Sequence, residues 1–441
     1  MVWLSLVRQV ALPVLVTLAP LQSASAASQL SGDPLVCSET IAAGPVVEGN
    51  LTQPRAIALA LASNPELVIS ACELNAADGR VLQAGLLPNP ELGIEVENFA
   101  GSGSRSSFDQ AETTLQVSQL FELGGKRAKR IVMAGLDRNL RTWDLEAKRL
   151  DVITETRKAF VGVLAAQRRH VLASDLASLA NEVARVVAAR VKAGRVSPVE
   201  ETRARIAATK AELEITQAQA ELAAVRKNLA AKWGAEDPTF AAAEGEIERV
   251  PELPAHERLE AMLRNNPDLA RWATEIESRR SELALAQTTR VPDLTVSGGL
   301  RQFADSDDVG VVVAVSVPLP LFNRGQGKIA ESQYRITAAE VEQRATQVRL
   351  TAALQKLYQS AATAQTQLTV LRDRVLPSVQ QVFDATTVGY RQGKFGYIDV
   401  LDAQRTLFET RNEYLVALVN FHSAIAEVER LVGEMPDGRS P

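Results

Sequence analysis

Residues 390–403 have the sequence YRQGKFGYIDVLDA, and this pattern predicts a tight turn between two very long helices. Gly393 permits the left-handed backbone that ends a helix. Upstream, a helical pattern runs from about Gly325 to Gln392, and downstream a return helix begins near Ile398. Gly393 and Lys394 are therefore expected to join two antiparallel helices.

Both helices carry the apolar spacing of coiled coils, in which seams recur by steps of three and four residues. The upstream helix has this spacing at Leu354, Leu357, Ala361, Ala364, Leu368, Leu371 and Val375. The return helix repeats by seven through Val400, Leu407, Tyr414, Phe421 and Val428. A stretch of about 68 residues at 1.5 Å per residue is near 100 Å long, which is unusual for a globular helix. Alanines in the seams allow close packing of many helices.

An earlier part of the chain repeats the same motifs in the same order. Asn64-Pro65-Glu66-Leu67 returns as Asn266-Pro267-Asp268-Leu269, and Pro90-Glu91-Leu92 returns as Pro292-Asp293-Leu294. The turn at Gly194 and Arg195 corresponds to the turn at Gly393 and Lys394. A nearly constant offset predicts tandem duplication. We assign the repeats to residues 52–250 and 251–434.

Each repeat also contains a shorter helix and a pair of predicted strands. The first helix is expected over about 52–86, with Thr52 as its N-cap and Pro54 in its first turn. Alternating apolar and polar residues predict strands at about 90–99, 112–121, 293–303 and 309–321. Four strands are too few to close a membrane barrel, whereas three copies would supply twelve. Two soluble hairpins packed on helices are the alternative.

The N-terminus predicts export. Arg8, an apolar run ending at Leu21 and the Ala24-Ser25-Ala26 tripeptide match a signal peptide over residues 1–26. Residues 27–51 are then an extended segment, and residues 435–441 are a C-terminal tail. Cys37 is not placed as a lipid-carrying cysteine would be, and a bridge between Cys37 and Cys72 stays open.

Composition argues against several classes of function. Aromatic residues make up 5% of the chain, and the net charge is −5 over 441 residues. Nucleic-acid binding needs a basic stripe, and the sequence has none. The three histidines, His170, His256 and His422, stand apart from one another, so we assign no metal ligand. No nucleophile and base occur at a workable spacing, so neither an enzyme nor a cofactor site is predicted.

Taken together, these features resemble the TolC family of outer-membrane factors over nearly the whole mature length. The tip at 390–403 is similar to that family's second tip, with its tyrosine, glycine and Asp-Val-Leu-Asp run. The segments GLLPNPEL (85–92), EVENF (95–99) and ELGGKR (122–127) look most like the CzcC branch, which serves heavy-metal pumps. One departure is Phe395, where the family's best-known member has an arginine, so a tyrosine and arginine latch is not expected here.

The resemblance implies a mainly α fold with a small β part. It implies a homotrimer whose twelve strands form a transmembrane barrel in outer-membrane lipid and whose long helices form a periplasmic tunnel. It further implies contacts with a periplasmic adaptor and an inner-membrane pump of the resistance-nodulation-division (RND) type. The resulting hypothesis is a Gram-negative outer-membrane channel for passive efflux, with heavy-metal cations as cargo.

Three groups of residues are candidates for gating, adaptor binding and lining the barrel in such a channel. The gate or constriction is assigned to Asp399, Asp402, Tyr390 and Glu200. The adaptor-contacting tips are assigned to Gly194, Arg195, Gly393, Lys394 and Phe395. The barrel lumen is assigned to Glu91, Glu95, Glu97, Gln116 and Ser118. Without the family pattern, the aspartates could equally be helix N-terminal acids, and the glycines could simply end helices.

Two other functions remain open from the sequence. The same fold serves ducts for drugs or secreted proteins, and only the cargo would differ. A soluble periplasmic coiled-coil scaffold would explain the helices but would leave the alternating strands without a membrane.

Overall fold

The structure is a computed structural model, and it describes residues 45–105 and 108–433. The predicted signal peptide, the segment before residue 45, Cys37 and the tail from residue 434 lie outside these residues. The described chain is mainly helical. Its helices are α1 (Gln53–Ser63), α2 (Pro65–Gly85), α3 (Lys126–Lys192), α4 (Pro198–Ala231), α5 (His256–Met262), α6 (Pro267–Gln287), α7 (Gln326–Val370), α8 (Leu376–Arg391) and α9 (Tyr397–Val432). Its strands are β1 (Leu51–Thr52), β2 (Glu91–Glu97), β3 (Glu112–Phe121), β4 (Ala243–Glu244), β5 (Leu294–Phe303) and β6 (Val309–Ser316).

The prediction of one helix over 52–86 is wrong, because the chain breaks at Asn64 into α1 and α2. Asn64 has extended backbone, and its Oδ1 accepts hydrogen bonds from Glu66 N at 2.9 Å and Leu67 N at 3.3 Å. Pro65 then occupies the first turn of α2, where a missing N–H costs nothing. Thr52 is the N-cap residue of α1, but its side chain makes no capping hydrogen bond.

Asn266 repeats this arrangement at the start of α6. Its side chain accepts from Asp268 N at 2.8 Å and donates to Leu431 O at 2.8 Å near the end of α9. Asn64 likewise donates to Lys232 O at 2.8 Å, just after α4 ends. In both halves one asparagine therefore starts the short helix and ties it to the end of the return helix.

The four longer strands form one antiparallel sheet in the order β2-β3-β5-β6, so β2 and β6 are its edges. The strand beginnings and the end of β3 agree with the predictions to within one residue. The last predicted strand stops at Ser316 instead of continuing to 321. Pro318 and Pro320 follow, and neither has an N–H for the ladder. A separate parallel pair joins β1 to β4.

The long helices have the predicted positions. Helix α3 contains 67 residues, and at 1.5 Å per residue it is about 100 Å long. The second long helix is less regular than predicted. It changes to a π-helical turn over Leu371–Val375 before continuing as α8. Pro377 lies at the start of α8 and has no N–H for the residue 373 carbonyl, which explains why the α-helical ladder is interrupted here.

The main core lies where α3, α7 and α9 meet the chain between α4 and α5. Its largest fully buried side chains are Phe160, Trp233, Phe240 and Phe421. The predicted seam residues Val400, Leu407, Phe421 and Val428 are buried. Closer to the tips, α3 and α4 pack through alanines, namely Ala177, Ala180, Ala208 and Ala211. These small side chains bring the two helices close together.

Candidate functional site

The helical tips end in two turns of the same construction. Gly194 and Gly393 have φ of 67° and 78°, a left-handed conformation that favours glycine. Beyond each glycine, a backbone N–H reaches back one full turn: Arg195 N donates to Arg190 O, and Lys394 N donates to Gly389 O, both at 2.9 Å. The predicted tip residues Arg195 and Lys394 are exposed beside these turns.

Phe395 is held at the second tip by a glycine that the sequence reasoning missed. A Cβ built on Gly389 would lie 2.2 Å from Cδ2 of Phe395, so the ring rests directly on the glycine backbone. The Phe395 side chain remains 49% exposed. An apolar ring is thus presented at the end of the molecule in a fixed position.

Tyr390, predicted as a gate residue, is only 4% exposed. It packs with Tyr397, Val187, Ala204 and Val400 in a small core that joins the two helix pairs at their tips. Its hydroxyl is buried and has no hydrogen-bond partner in the described part of the chain. Burial, together with the neighbouring Tyr390, raises the pKa of Tyr397 to about 12. Tyr397 is therefore neutral at physiological pH.

An arginine does contact Tyr390, but it comes from the first repeat. The Arg190 guanidinium lies 4.5 Å from the centre of the Tyr390 ring, and its Nη1 donates to Tyr390 O at 3.0 Å. In the sequence, the residue five positions after Tyr390 is Phe395, where an arginine would complete a latch within one tip. Only the folded structure shows that Arg190 links α3 to the second tip.

Asp399 and Asp402 lie on one exposed face of α9, as their three-residue spacing predicts. Both line a groove of about 410 Å³ between α8 and α9, together with Phe395, Val382 and Thr406. Asp399 Oδ2 also accepts a hydrogen bond from Gly396 N at 2.8 Å, so this carboxylate starts the helix as well. Asp402 makes no ion pair among the described residues.

Glu200 is not brought to this groove. It lies in the first turn of α4, where it is half-buried, and its Oε2 has no hydrogen-bond partner in the described chain. The four predicted gate residues therefore occupy three settings: a surface groove, a buried core and the first turn of the other return helix.

The predicted lumen residues share one face of the sheet. Glu91 pairs with Ser118, and Gly93 pairs with Gln116; Glu95 and Glu97 lie opposite Thr114 and Glu112. Residues directly opposite in an antiparallel pair point to the same side. The other side is apolar and open, with exposures of 69% for Leu92, 70% for Ile94, 78% for Val311 and 72% for Val313.

The polar face has an excess of acid. Arg301 forms ion pairs with Glu97 at 3.1 Å and Glu112 at 2.7 Å, near the hairpin end of the sheet. Glu91 and Glu95 form no ion pair within the described chain. One arginine therefore faces four carboxylates on this side.

The ELGGKR segment forms the junction between strands and helices. Asp293 Oδ1 accepts from Leu123 N at 3.0 Å and from Lys126 Nζ at 2.7 Å, which joins the end of β3 to the start of β5. Glu122 pairs with Arg130 through both carboxylate oxygens. The segment is therefore structural in this fold.

No group of three or more histidine, cysteine or acidic side chains in the described part of the chain is arranged to hold a metal ion. The Nε2 atom of His422 lies 2.7 Å from Ile247 O. Burial lowers the pKa of His422, and the bond to the Ile247 carbonyl opposes this shift. His256 packs edge-on against Tyr358 at 5.2 Å.

Comparison with known proteins identifies the family to which this fold belongs. The family described as outer membrane efflux protein matches residues 56–235 and 259–434. This chain belongs to the outer membrane efflux protein family. The cobalt-zinc-cadmium resistance protein CzcC of Cupriavidus metallidurans is 36% identical over 87% of this chain and 90% of its own. The nickel and cobalt resistance protein CnrC of the same species is 30% identical over 70% and 73%.

A solved structure agrees with this fold. The CmeC outer membrane channel of Campylobacter jejuni has a TM-score of 0.72 at 16% identity, covering 86% of this chain and 85% of that one. The predicted family, the efflux function and the outer-membrane location are thus confirmed. The sheet and the helical tips lie at opposite ends of the long helices.

Proposed function

We propose that three copies of this chain form a channel that passively exports heavy-metal cations across the outer membrane. An inner-membrane RND pump and a periplasmic adaptor would deliver the cargo. The observation that carries this proposal is the two-faced sheet, which is apolar and exposed on one side and acidic on the other. Such a sheet suits a barrel wall with lipid outside and a cation-friendly lumen inside.

Assembly into a trimer is supported by what a single chain leaves open. Four strands have two unpaired edges, and twelve strands from three chains would close them. The helices also carry exposed apolar stripes at seven-residue spacing. One stripe is Val199, Ile206 and Leu213, and another is Tyr334, Val341 and Val348, with exposures between 52% and 77%. Such stripes need neighbouring helices.

We also infer that the chain is a tandem duplication with repeats at 52–250 and 251–434. The paired asparagine caps at Asn64 and Asn266 support it, as do the two glycine turns at Gly194 and Gly393. A duplicated chain in a trimer would give six similar units around one axis.

Metal cargo is supported by two relatives whose names refer to metal resistance. CzcC is named for cobalt, zinc and cadmium, and CnrC for nickel and cobalt. In this chain, Glu91 and Glu95 on the polar face, with Glu97 and Glu112 beside Arg301, would favour cations over anions. We propose that the pump selects the ion and the channel only favours its charge.

At the periplasmic end, we propose that the tips bind the adaptor and that the adjacent acids narrow the tunnel. Gly194, Arg195, Gly393, Lys394 and Phe395 would form the adaptor contact. Asp399 and Asp402 would form the constriction, with six carboxylates around the axis of a trimer. Tyr390 and Glu200 would support it from within the tip.

The test combines transport with conductance. Deletion of the gene should sensitise the cell to cobalt, zinc or cadmium, and the wild-type gene should restore resistance. In planar bilayers, Asp399→Asn with Asp402→Asn should raise conductance or lower cation selectivity, because the repulsion and the charge are both reduced. The Oδ1 of an asparagine at position 399 can still accept the hydrogen bond from Gly396 N, so the fold should be kept.

Glu413→Gln is the matched control, because it neutralises an exposed acid of α9 away from the tip. If the double variant conducts and selects as the wild type does, the aspartates are helix-start residues only. Sensitivity to drugs instead of metals in the deletion strain would overturn the metal cargo and favour a drug duct.

A further inference from the structure

The junction between β3 and β5 has an incomplete counterpart at the two edges of the sheet. Within the chain, Asp293 at the start of β5 accepts from Leu123 N at 3.0 Å, just before α3 begins. In the first repeat, the residue that corresponds to Asp293 is Glu91, at the start of β2. In the second repeat, the residue that corresponds to Leu123 is Asn323, just before α7. Glu91 begins β2, and Asn323 lies in the segment that follows β6; β2 and β6 are the two edges of the sheet.

The correspondence rests on geometry as well as on sequence. Gly125 and Gly325 immediately precede the long helices and have φ of 70° and 72°, and Leu123 and Asn323 each lie two residues before them. Asp293 and Glu91 each follow a proline and precede a leucine. Asp293 comes immediately before β5, and Glu91 is the first residue of β2. The two half-junctions therefore share an acid after a proline and a left-handed glycine before the long helix, and the nearby cation is Arg324 in place of Lys126.

The partner positions are also open in the single chain. Glu91 is exposed and makes no ion pair within the described residues, and Asn323 N–H donates to no acceptor there. Arg324, next to Asn323, donates from Nε to Pro320 O at 3.2 Å, but it has no carboxylate partner in the described part of the chain. An unpaired acid at one edge and an unpaired cation at the other are complementary between copies.

We propose that Glu91 of one copy binds the segment Asn323–Arg324 of the next copy and closes the seam between β6 and β2. The carboxylate accepts from the Asn323 N–H, as Asp293 does from Leu123, and Arg324 supplies the positive charge that Lys126 supplies inside the chain. The inference rests on the trimer proposed above and names the contact that joins its subunits.

Paired cysteines test this contact directly. A disulfide needs Cα atoms within about 7 Å. Within one chain, the edge strands β2 and β6 are three strand spacings apart, roughly 14 Å, and Asn323 lies in the segment that follows β6. A covalent dimer or trimer of the Glu91→Cys with Asn323→Cys variant therefore shows that the crosslink joins two copies. We expect covalent dimers and trimers on non-reducing gels after heating, and neither single variant should give them.

Two further pairs serve as controls. Leu123→Cys with Asp293→Cys should form a crosslink inside one chain, because those positions are in contact. Glu97→Cys with Asn323→Cys should not crosslink, because Glu97 lies at the far end of β2, roughly 20 Å along the strand. If the protein forms a heat-modifiable trimer but the 91 and 323 cysteine pair gives no covalent dimers or trimers, the proposed contact is wrong and the proposed trimer is unaffected. A monomeric wild-type protein in unheated membrane extracts overturns both.

Charge exchange gives a second measurement that does not depend on oxidation. Glu91→Arg should lower the temperature at which the unheated trimer band disappears, because two cations then meet at the seam. Adding Arg324→Glu should restore that temperature. Failure of the exchange to restore it would show that Arg324 is not the partner of Glu91.

Discussion

Single residues define the geometry of the tips. The positive-φ turn at Gly393 could be predicted from sequence, because a glycine after a long helical pattern is a common helix end. Gly389 could not, because it sits inside a helix and its role is to leave room for the Phe395 ring. Arg190 was missed for a similar reason: its partner Tyr390 is 200 residues away in sequence.

Replacing Gly389 by alanine should dislodge Phe395. The new methyl group would lie 2.2 Å from the ring, which is closer than any real contact, so the ring or the helix must move. We expect a loss of about 1–3 kcal/mol in local stability, as in other overpacked sites. Faster tryptic cleavage after Lys394 in the folded protein would report it.

Gly79→Ala is the matched control for that substitution. Gly79 is exposed in α2, and nothing lies within 4 Å of its built Cβ. Alanine should stabilise that helix slightly. Equal cleavage rates in the wild type and the Gly389→Ala variant would show that the ring does not depend on the glycine.

His422 should make the protein less stable in mild acid. Burial lowers its pKa in the folded state, so the unfolded chain, with an ordinary histidine pKa of about 6.5, binds the proton more readily. The stability that neutral His422 contributes to the folded state is present above about pH 6.5 and is lost as the pH falls toward the pKa of the folded state. His422→Gln should therefore flatten the decline in melting temperature below pH 6.5, whereas His170→Gln should leave the decline in place.

At the level of elements, the strands were predicted more accurately than the helix breaks. A two-residue period fixes which face a residue takes, so Glu91, Glu95 and Glu97 were placed on one side correctly. The break at Asn64 has a local signal, an asparagine cap followed by Pro65, which the prediction of one continuous helix overlooked. The hydrogen bond from Asn64 to Lys232 O, far along the chain, could not be predicted from local patterns. The early end of β6 is explained by Pro318 and Pro320, which were visible in the sequence.

The two faces of the sheet should respond differently to charge. Val313 is 72% exposed on the apolar face, so Val313→Arg should cost about 2–4 kcal/mol if this face meets lipid near mid-membrane. Glu95→Arg, on the polar face, should be mild. Folding into outer-membrane vesicles, followed by urea titration, measures both. Equal losses for the two variants would contradict the assignment of the faces.

For the whole molecule, the single chain leaves apolar stripes of its long helices exposed. Sequence predicted the seams inside the chain, such as Leu354 and Phe421, because these positions are buried by the chain itself. It did not separate them from stripes that remain exposed, such as Tyr334, Val341 and Val348. Both kinds share the seven-residue spacing, and only the folded chain shows which of them still needs a neighbour.

Val341→Asp should therefore weaken assembly and leave the folded chain intact. The side chain is 63% exposed in the single chain, so the chain itself loses little packing, whereas a helix interface would have to bury a carboxylate. The fraction of heat-modifiable trimer should fall. Arg344→Asp, an exposed charge reversal one turn along α7, should change it less. Equal trimer yields for the two variants would remove this stripe from the interface.

The π turn at Leu371–Val375 has a consequence for how the second long helix is phased. Before this turn, buried residues follow a seven-residue step through Ala361 and Leu368. If the step continued unchanged, Val382 would be buried. Val382 is instead 56% exposed, and the next residue, Phe383, is half-buried. The buried side has thus advanced by one residue, and the wider turn absorbs it, since one residue of α-helix is a rotation of about 100°. From Leu368 to Phe383 the helix accordingly advances by two heptads and one residue, and this frameshift lets the two ends of the second long helix keep independent registers.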